Sequence, residues 1–341
     1  MKTEATTPAR SAQETMRAVV QDRYGTAPEA VLRVARVGRP TPRDDEVLVR
    51  VGAAGVDRGT WHLMAGLPYL MRVIGFGLHG PKTRVPGLDL AGTVEAVGRD
   101  VSGLEPGDEV FGTGTGSFAE FSVAKPGRLA PKPANLTFEQ AAAVPGSATT
   151  ALQAVRDKGQ VCPGEHVLVL GASGGVGTYA VQLAKAFGAR VTGVCSTGKT
   201  DLVRAIGADR VVDYTHEDLM GGPDRYDVIV DIGGNRPVSA LRRALTPRGR
   251  LVITGGEDGG RWLGGVERNL RAHLLSPFVT QKLGAFVARQ RAEDLLVLRD
   301  LVESGAVTPV VDRIYPLDQA SAALRHLAEG RARGKVVVAV A

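Results

Sequence analysis

The chain has 341 residues, 43% hydrophobic and 23% charged, the balance of a soluble globular protein of about two domains. Its 42 Lys and Arg against 36 Asp and Glu give a net charge of +6, but the cations are scattered and form no block, which argues against a nucleic-acid partner. No apolar run approaches the roughly 18 residues of a membrane span. Cys162 and Cys195, with no Cys-x-x-Cys pair, give no sign of an oxidising compartment; the expectation is a cytoplasmic protein.

Residues 1–15 are polar and of mixed charge, and lack the apolar core of a secretion signal. They read as a disordered tail. From Met16 to Gln140 the chain is rich in Val, Gly and Pro. Met16–Val20, Glu46–Val51 and Leu90–Val97 have strand character, and Glu105-Pro-Gly-Asp108 marks a turn just before Glu109-Val-Phe111. This spacing predicts a small, irregular β domain.

The pattern changes at Thr137-Phe-Glu-Gln140, which has the form of a capping box opening a helix. Glu165–Leu170 reads as an apolar strand, followed by a helix with Val176, Ala180, Leu183, Ala184 and Phe187 on one face and Gly188 as its stop. Strand-like and helix-like stretches then alternate: Arg190–Cys195, Leu202–Ile206, Arg210–Asp213, Tyr226–Asp231, Val238–Leu245 and Arg250–Thr254. Alternation of this kind predicts a doubly wound parallel sheet. Helices are expected near Glu293–Glu303 and Leu317–Glu329. A final apolar strand, Lys335–Val340, could complete the sheet of the first domain.

The most informative feature is the loop Gly171-Ala172-Ser173-Gly174-Gly175-Val176-Gly177, between a strand and a helix. Glycines there let the backbone turn tightly and approach a pyrophosphate, and the helix N-terminus offers free N–H groups to it. A packing turn would need fewer glycines and no such context. NAD sites place an acid about 20 residues further on, against the ribose hydroxyls. This chain has Ser196 there, with Lys199 beside it. A hydroxyl and a cation suit a 2′-phosphate, so the expected cofactor is NADPH.

These stretches resemble the medium-chain dehydrogenase/reductase superfamily, in its zinc-free quinone oxidoreductase (zeta-crystallin-like) branch. The resemblance lies in Gly164-Glu165, Leu168, Ala172–Gly175, Gly177, Gln182 and Lys185. It continues in Pro86–Gly92, Pro106–Val110, Phe118–Phe121 and Gly334–Val337. It implies an α/β protein with a GroES-like β-rich catalytic domain, residues 16–140 and 281–341, and a Rossmann NADPH-binding domain, residues 141–280. By position it implies that Thr150 lies near the nicotinamide ribose and that Ser196, Lys199 and Tyr214 surround the adenine ribose. Gly233, Thr254 and Gly255 would belong to loops crossing the cofactor. Ser276-Pro-Phe278 would be a strand end passing the carboxamide, and Gly334 and Lys335 a cofactor-proximal turn. A homodimer is the family's common state.

Zinc-dependent relatives need ligands where this chain has Asp57, Leu88 and Pro145, and the structural lobe has no cysteine. No metal is therefore expected. Without a Lewis acid, reduction of a conjugated bond is easier than alcohol oxidation, because charge spreads onto the carbonyl oxygen. The expected substrate is a small apolar quinone or α,β-unsaturated carbonyl compound. The alternatives are a non-catalytic NADPH-binding protein, crystallin-like or regulatory, or an alcohol dehydrogenase. Trp61–Phe76 is apolar for a loop region and has three readings: a substrate wall, a packed helix core or a membrane-surface contact. Asp57, Trp61, His62 and Tyr69 are the pocket candidates, with His62 or Tyr69 as proton donor.

Overall fold

A computed structural model describes residues 14–217, 222–234, 236–256 and 260–340. Among the described residues, fifteen strands run in the order β1 (Thr15–Gln21), β2 (Leu32–Gly38), β3 (Val47–Val56), β4 (Asp89–Val97), β5 (Glu109–Thr113), β6 (Phe121–Ala124), β7 (Leu129–Pro131) and β8 (His166–Leu170). Then follow β9 (Arg190–Cys195), β10 (Arg210–Asp213), β11 (Tyr226–Asp231), β12 (Leu245–Ile253), β13 (Lys282–Ala285), β14 (Val311–Pro316) and β15 (Lys335–Ala339).

The central strands form a parallel six-stranded sheet, ordered β10-β9-β8-β11-β12-β13. Its side chains divide with period two. Val167 and Val169 enter a core with Tyr179, Ala180 and Leu183 of the helix Gly175–Ala186, whereas Leu168 and Leu170 enter one with Leu241 and Ala272 from the opposite helices. Both faces are covered, as a parallel sheet requires.

The β-rich domain carries the order β14-β15-β3-β4-β5-β7, with β6 also on β3 and β1–β2 as a separate antiparallel pair. The last strand does return to the first: β15 runs antiparallel to β3, with Val336 opposite Val56. The expected capping box forms around Thr137. Its hydroxyl accepts from the Gln140 N–H at 3.3 Å, and the Gln140 side-chain Oε1 accepts from the Thr137 N–H at 3.0 Å.

Three expectations need correction. Of the tail, residues 1–13 lie outside the described residues, but Thr15 opens β1 and Glu14 is ion-paired to Arg39 at 2.7 Å. The parallel sheet extends past residue 280, because β13 pairs with β12 from Lys282 to Ala285. Ser276–Phe278 is not a strand end but a short 3-10 turn ahead of β13. The helix before it begins beside Asp231 and runs ten residues, about 15 Å, away from the glycine loop.

Candidate functional site

A cleft of about 750 Å³ lies where the β-rich domain meets the carboxyl ends of the parallel strands, the ordinary ligand position in an open α/β sheet. The glycine loop forms its floor. Gly171 sits at φ +84°, and a Cβ on Gly177 would fall on the Gly171 carbonyl oxygen, so both positions need glycine to turn β8 into the helix. Gly174 is the N-cap and its helix has no side-chain cap, leaving the first-turn amides to a ligand.

The C-terminal strand enters this loop. The Gly334 N–H donates to the Ser173 carbonyl at 2.9 Å, and Gly174 and Gly334 form an isolated parallel bridge. The Lys335 side chain then passes Gly175, where an added Cβ would lie 3.0 Å from its Cδ, and its Nζ lies 3.4 Å from Asp89 Oδ2. Both partners are buried. The Gly146 N–H donates to Asp89 Oδ1 at 3.0 Å. Burial, opposed by Lys335 and reinforced by the nearby Asp57 carboxylate, raises Asp89 to about 7.

Among the expected residues, Gly171, Ser173, Gly174, Gly175, Val176, Ser196, Lys199, Tyr214, Gly233, Gly334, Lys335 and Asp57 line this one cleft. The others do not. Ala172 and Gly177 are buried beneath the loop. The Thr150 hydroxyl donates to the Gly146 carbonyl at 2.7 Å, within its own helix. Thr254 donates its N–H to the Asp231 carbonyl, and a Cβ on Gly255 would fall on the Ile232 carbonyl, so both back the Gly233 loop rather than face the cleft. Ser276 accepts from the Leu283 N–H at 3.0 Å, and Phe278 is 85% exposed away from the site.

The adenosine end has the expected chemistry with one difference. Lys199 is not a free cation: its Nζ donates to the Gly330 and Ala332 carbonyls, each at 2.8 Å, which leaves one of three N–H groups. Burial lowers its pKa. Asp213, at the end of β10, does not line the cleft and accepts from Thr215 at 2.7 Å.

Trp61, His62 and Tyr69 lie outside the cleft. His62 donates from Nδ1 to the Leu67 carbonyl at 2.9 Å, and burial holds its pKa low, so its second nitrogen carries no proton to give. Tyr69 packs edge-on against Trp262 and beside the Arg72 guanidinium. The apolar stretch divides along its length: Met64 is core, while Val73 and Ile74 are exposed. Arg58, Ser147, Arg236 and Ala332 are among the lining residues that were not foreseen. Arg58 had the clearest signal, directly after Asp57 at the start of a helix.

Zinc does not fit these residues. Asp57 Oδ1 accepts from the Thr60 N–H at 2.7 Å, and Leu88 offers no donor atom. Among the described residues no three His, Cys, Asp or Glu side chains converge. No helix among them is long and apolar enough to cross a membrane.

Residues 43–134 match the family model for the alcohol dehydrogenase GroES-like domain, and residues 206–338 match a zinc-binding dehydrogenase model. The chain is 33% identical to an NADPH-dependent alkenal/one oxidoreductase, chloroplastic, of Arabidopsis thaliana, over 95% of this chain and 79% of the relative. It is 31% identical to a chloroplast envelope quinone oxidoreductase homolog of the same plant, over 95% and 98%. The solved quinone oxidoreductase of Coxiella burnetii superposes with a TM-score of 0.82 at 27% identity, over 96% of this chain and 100% of that one.

The Asp89 carboxyl predicts a pH dependence. Its pKa in the fold lies above its ordinary 3.8, so the proton it holds favours the folded state at low pH, and that contribution is lost as pH rises through about 7. Melting of the cofactor-free protein between pH 4 and 8 should show stability falling from about pH 4 to about pH 7 and levelling above it, and Asp89→Asn should remove that fall. Parallel profiles for the two proteins would contradict the assignment.

Proposed function

This chain belongs to the medium-chain dehydrogenase/reductase superfamily, in its quinone oxidoreductase branch, and from that premise we propose that it is an NADPH-dependent, zinc-independent reductase of quinones or α,β-unsaturated carbonyl compounds. The observation that carries the cofactor choice is the end of β9. Ser196, Lys199 and Tyr214 share a cleft with the glycine loop, and no acid lines it at that end. A carboxylate there would repel a 2′-phosphate, whereas the remaining Lys199 N–H and the two hydroxyls can bond to it.

Bound NADPH would supply a hydride. The chain's own part is to hold and orient. The first-turn amides at Gly175 and Val176 would hold the pyrophosphate, with the Lys335 side chain beside them. Asp57 uses one carboxylate oxygen to cap the helix Arg58–Ala65 and sets the edge of the substrate space. No side chain among the expected donors brings a proton into the cleft, so the proton that completes reduction of a conjugated acceptor comes from solvent. Such acceptors suit this, since charge left by hydride addition spreads onto their oxygen.

The same proposal includes a homodimer. β13 is the outer strand of the parallel sheet, and among the described residues its second edge has no partner strand. Light scattering should give twice the chain mass; a monomer mass would remove this part.

For the cofactor, calorimetric titration should show NADPH binding at least about tenfold more tightly than NADH, the scale of one or two charge-assisted hydrogen bonds. Lys199→Met should erase most of that difference. Equal affinities in the unaltered protein would overturn the choice of NADPH.

A further inference from the structure

A second cavity, of about 690 Å³, opens between the helices Val238–Ala244 and Val266–Leu275. It adjoins the dinucleotide cleft, since Arg236 and Pro237 line both. Its walls carry two chemistries. Val238, Leu274 and Leu275 are apolar, and Leu274 is 62% exposed although it borders a cavity. Arg236, Arg268 and Arg271 bring three guanidinium groups to the same space.

These cations are poorly matched by the protein itself. Arg268 pairs with the buried Asp231 carboxylate and donates from Nε to the Arg236 carbonyl at 2.9 Å. Its Nη1 is buried without an acceptor. Neither Arg236 nor Arg271 makes a side-chain hydrogen bond or ion pair among the described residues. Glu267 is the one acid on the wall, and it is ion-paired to none of the three.

We propose that this cavity is a second ligand site, taking an amphiphilic anion: a carboxylate or phosphate head on Arg236, Arg268 and Arg271, with an apolar body on Val238, Leu274 and Leu275. Guanidinium forks suit either head, because both present two or more oxygens in a plane that parallel N–H groups can meet. The apolar wall gives the body a place out of water. The site is separate from the glycine loop, and it stands whether or not the reductase reading does.

The test is calorimetric titration of the full chain, alone and saturated with NADPH, using decanoate, decyl phosphate and decanol. The expected result is that at least one of the two anions binds with one-to-one stoichiometry in both states, while decanol binds at least tenfold more weakly. Arg271→Gln, an exposed position outside the dinucleotide cleft, should weaken anion binding about tenfold and leave the NADPH Kd unchanged, and Arg271→Lys should restore part of it. Decanol binding as tightly as the anions would overturn the proposal, as would anion binding indifferent to Arg271→Gln. Loss of anion binding on saturation with NADPH would also overturn it, because the arginines would then belong to the dinucleotide site.

Discussion

One peptide hydrogen bond, from the Gly334 N–H to the Ser173 carbonyl, ties the last strand of the chain to the loop that begins the nucleotide domain. The geometry of the cleft depends on it. Gly334 sits at φ +98°, and a Cβ there would strike Val310, so the close passage requires glycine. Lys335 follows at once and is delivered past Gly175 to Asp89. From the other side, Lys199 donates to Gly330 and Ala332 and holds the start of the same turn. The segment 330–335 is thus fastened to the nucleotide domain at both ends, although its strand belongs to the β-rich sheet.

This fastening concentrates positive charge where an anionic dinucleotide would lie. Lys335 is buried, and a buried cation needs a partner. Asp89 is that partner; burial and the neighbouring Asp57 carboxylate raise its pKa, and Lys335 opposes the rise. The result is a cation that the fold tolerates. Lys199 follows the same logic with carbonyl dipoles in place of a carboxylate.

Local patterns made much of the fold legible in the sequence. The alternation in His166–Leu170, the glycine loop and the Gly188 stop each act within a few residues, so the parallel sheet could be read directly. The Thr137 capping box could be read for the same reason. β13 could not, because Lys282-Leu-Gly-Ala285 is four residues with one fully buried side chain, and it is a strand only because β12 supplies an edge. The resemblance placed a strand end at Ser276-Pro-Phe278, which is instead a 3-10 turn ahead of β13. The site residues divide similarly. Those on the glycine loop and at the end of β9 follow from local spacing. Ser147 and Arg236 reach the cleft only through long-range packing. His62 and Tyr69 looked chemically apt but are engaged elsewhere, by Leu67 and by Trp262.

The central claim is that this cleft moves hydride from NADPH to a conjugated acceptor without a metal, and it is tested most directly by following NADPH oxidation, after exhaustive chelation, with a panel of quinones and enones. The account predicts turnover with conjugated acceptors that chelation leaves undiminished, and none with simple alcohols and the oxidised cofactor. Activity lost on chelation and restored by zinc, or no turnover across the panel, would contradict it.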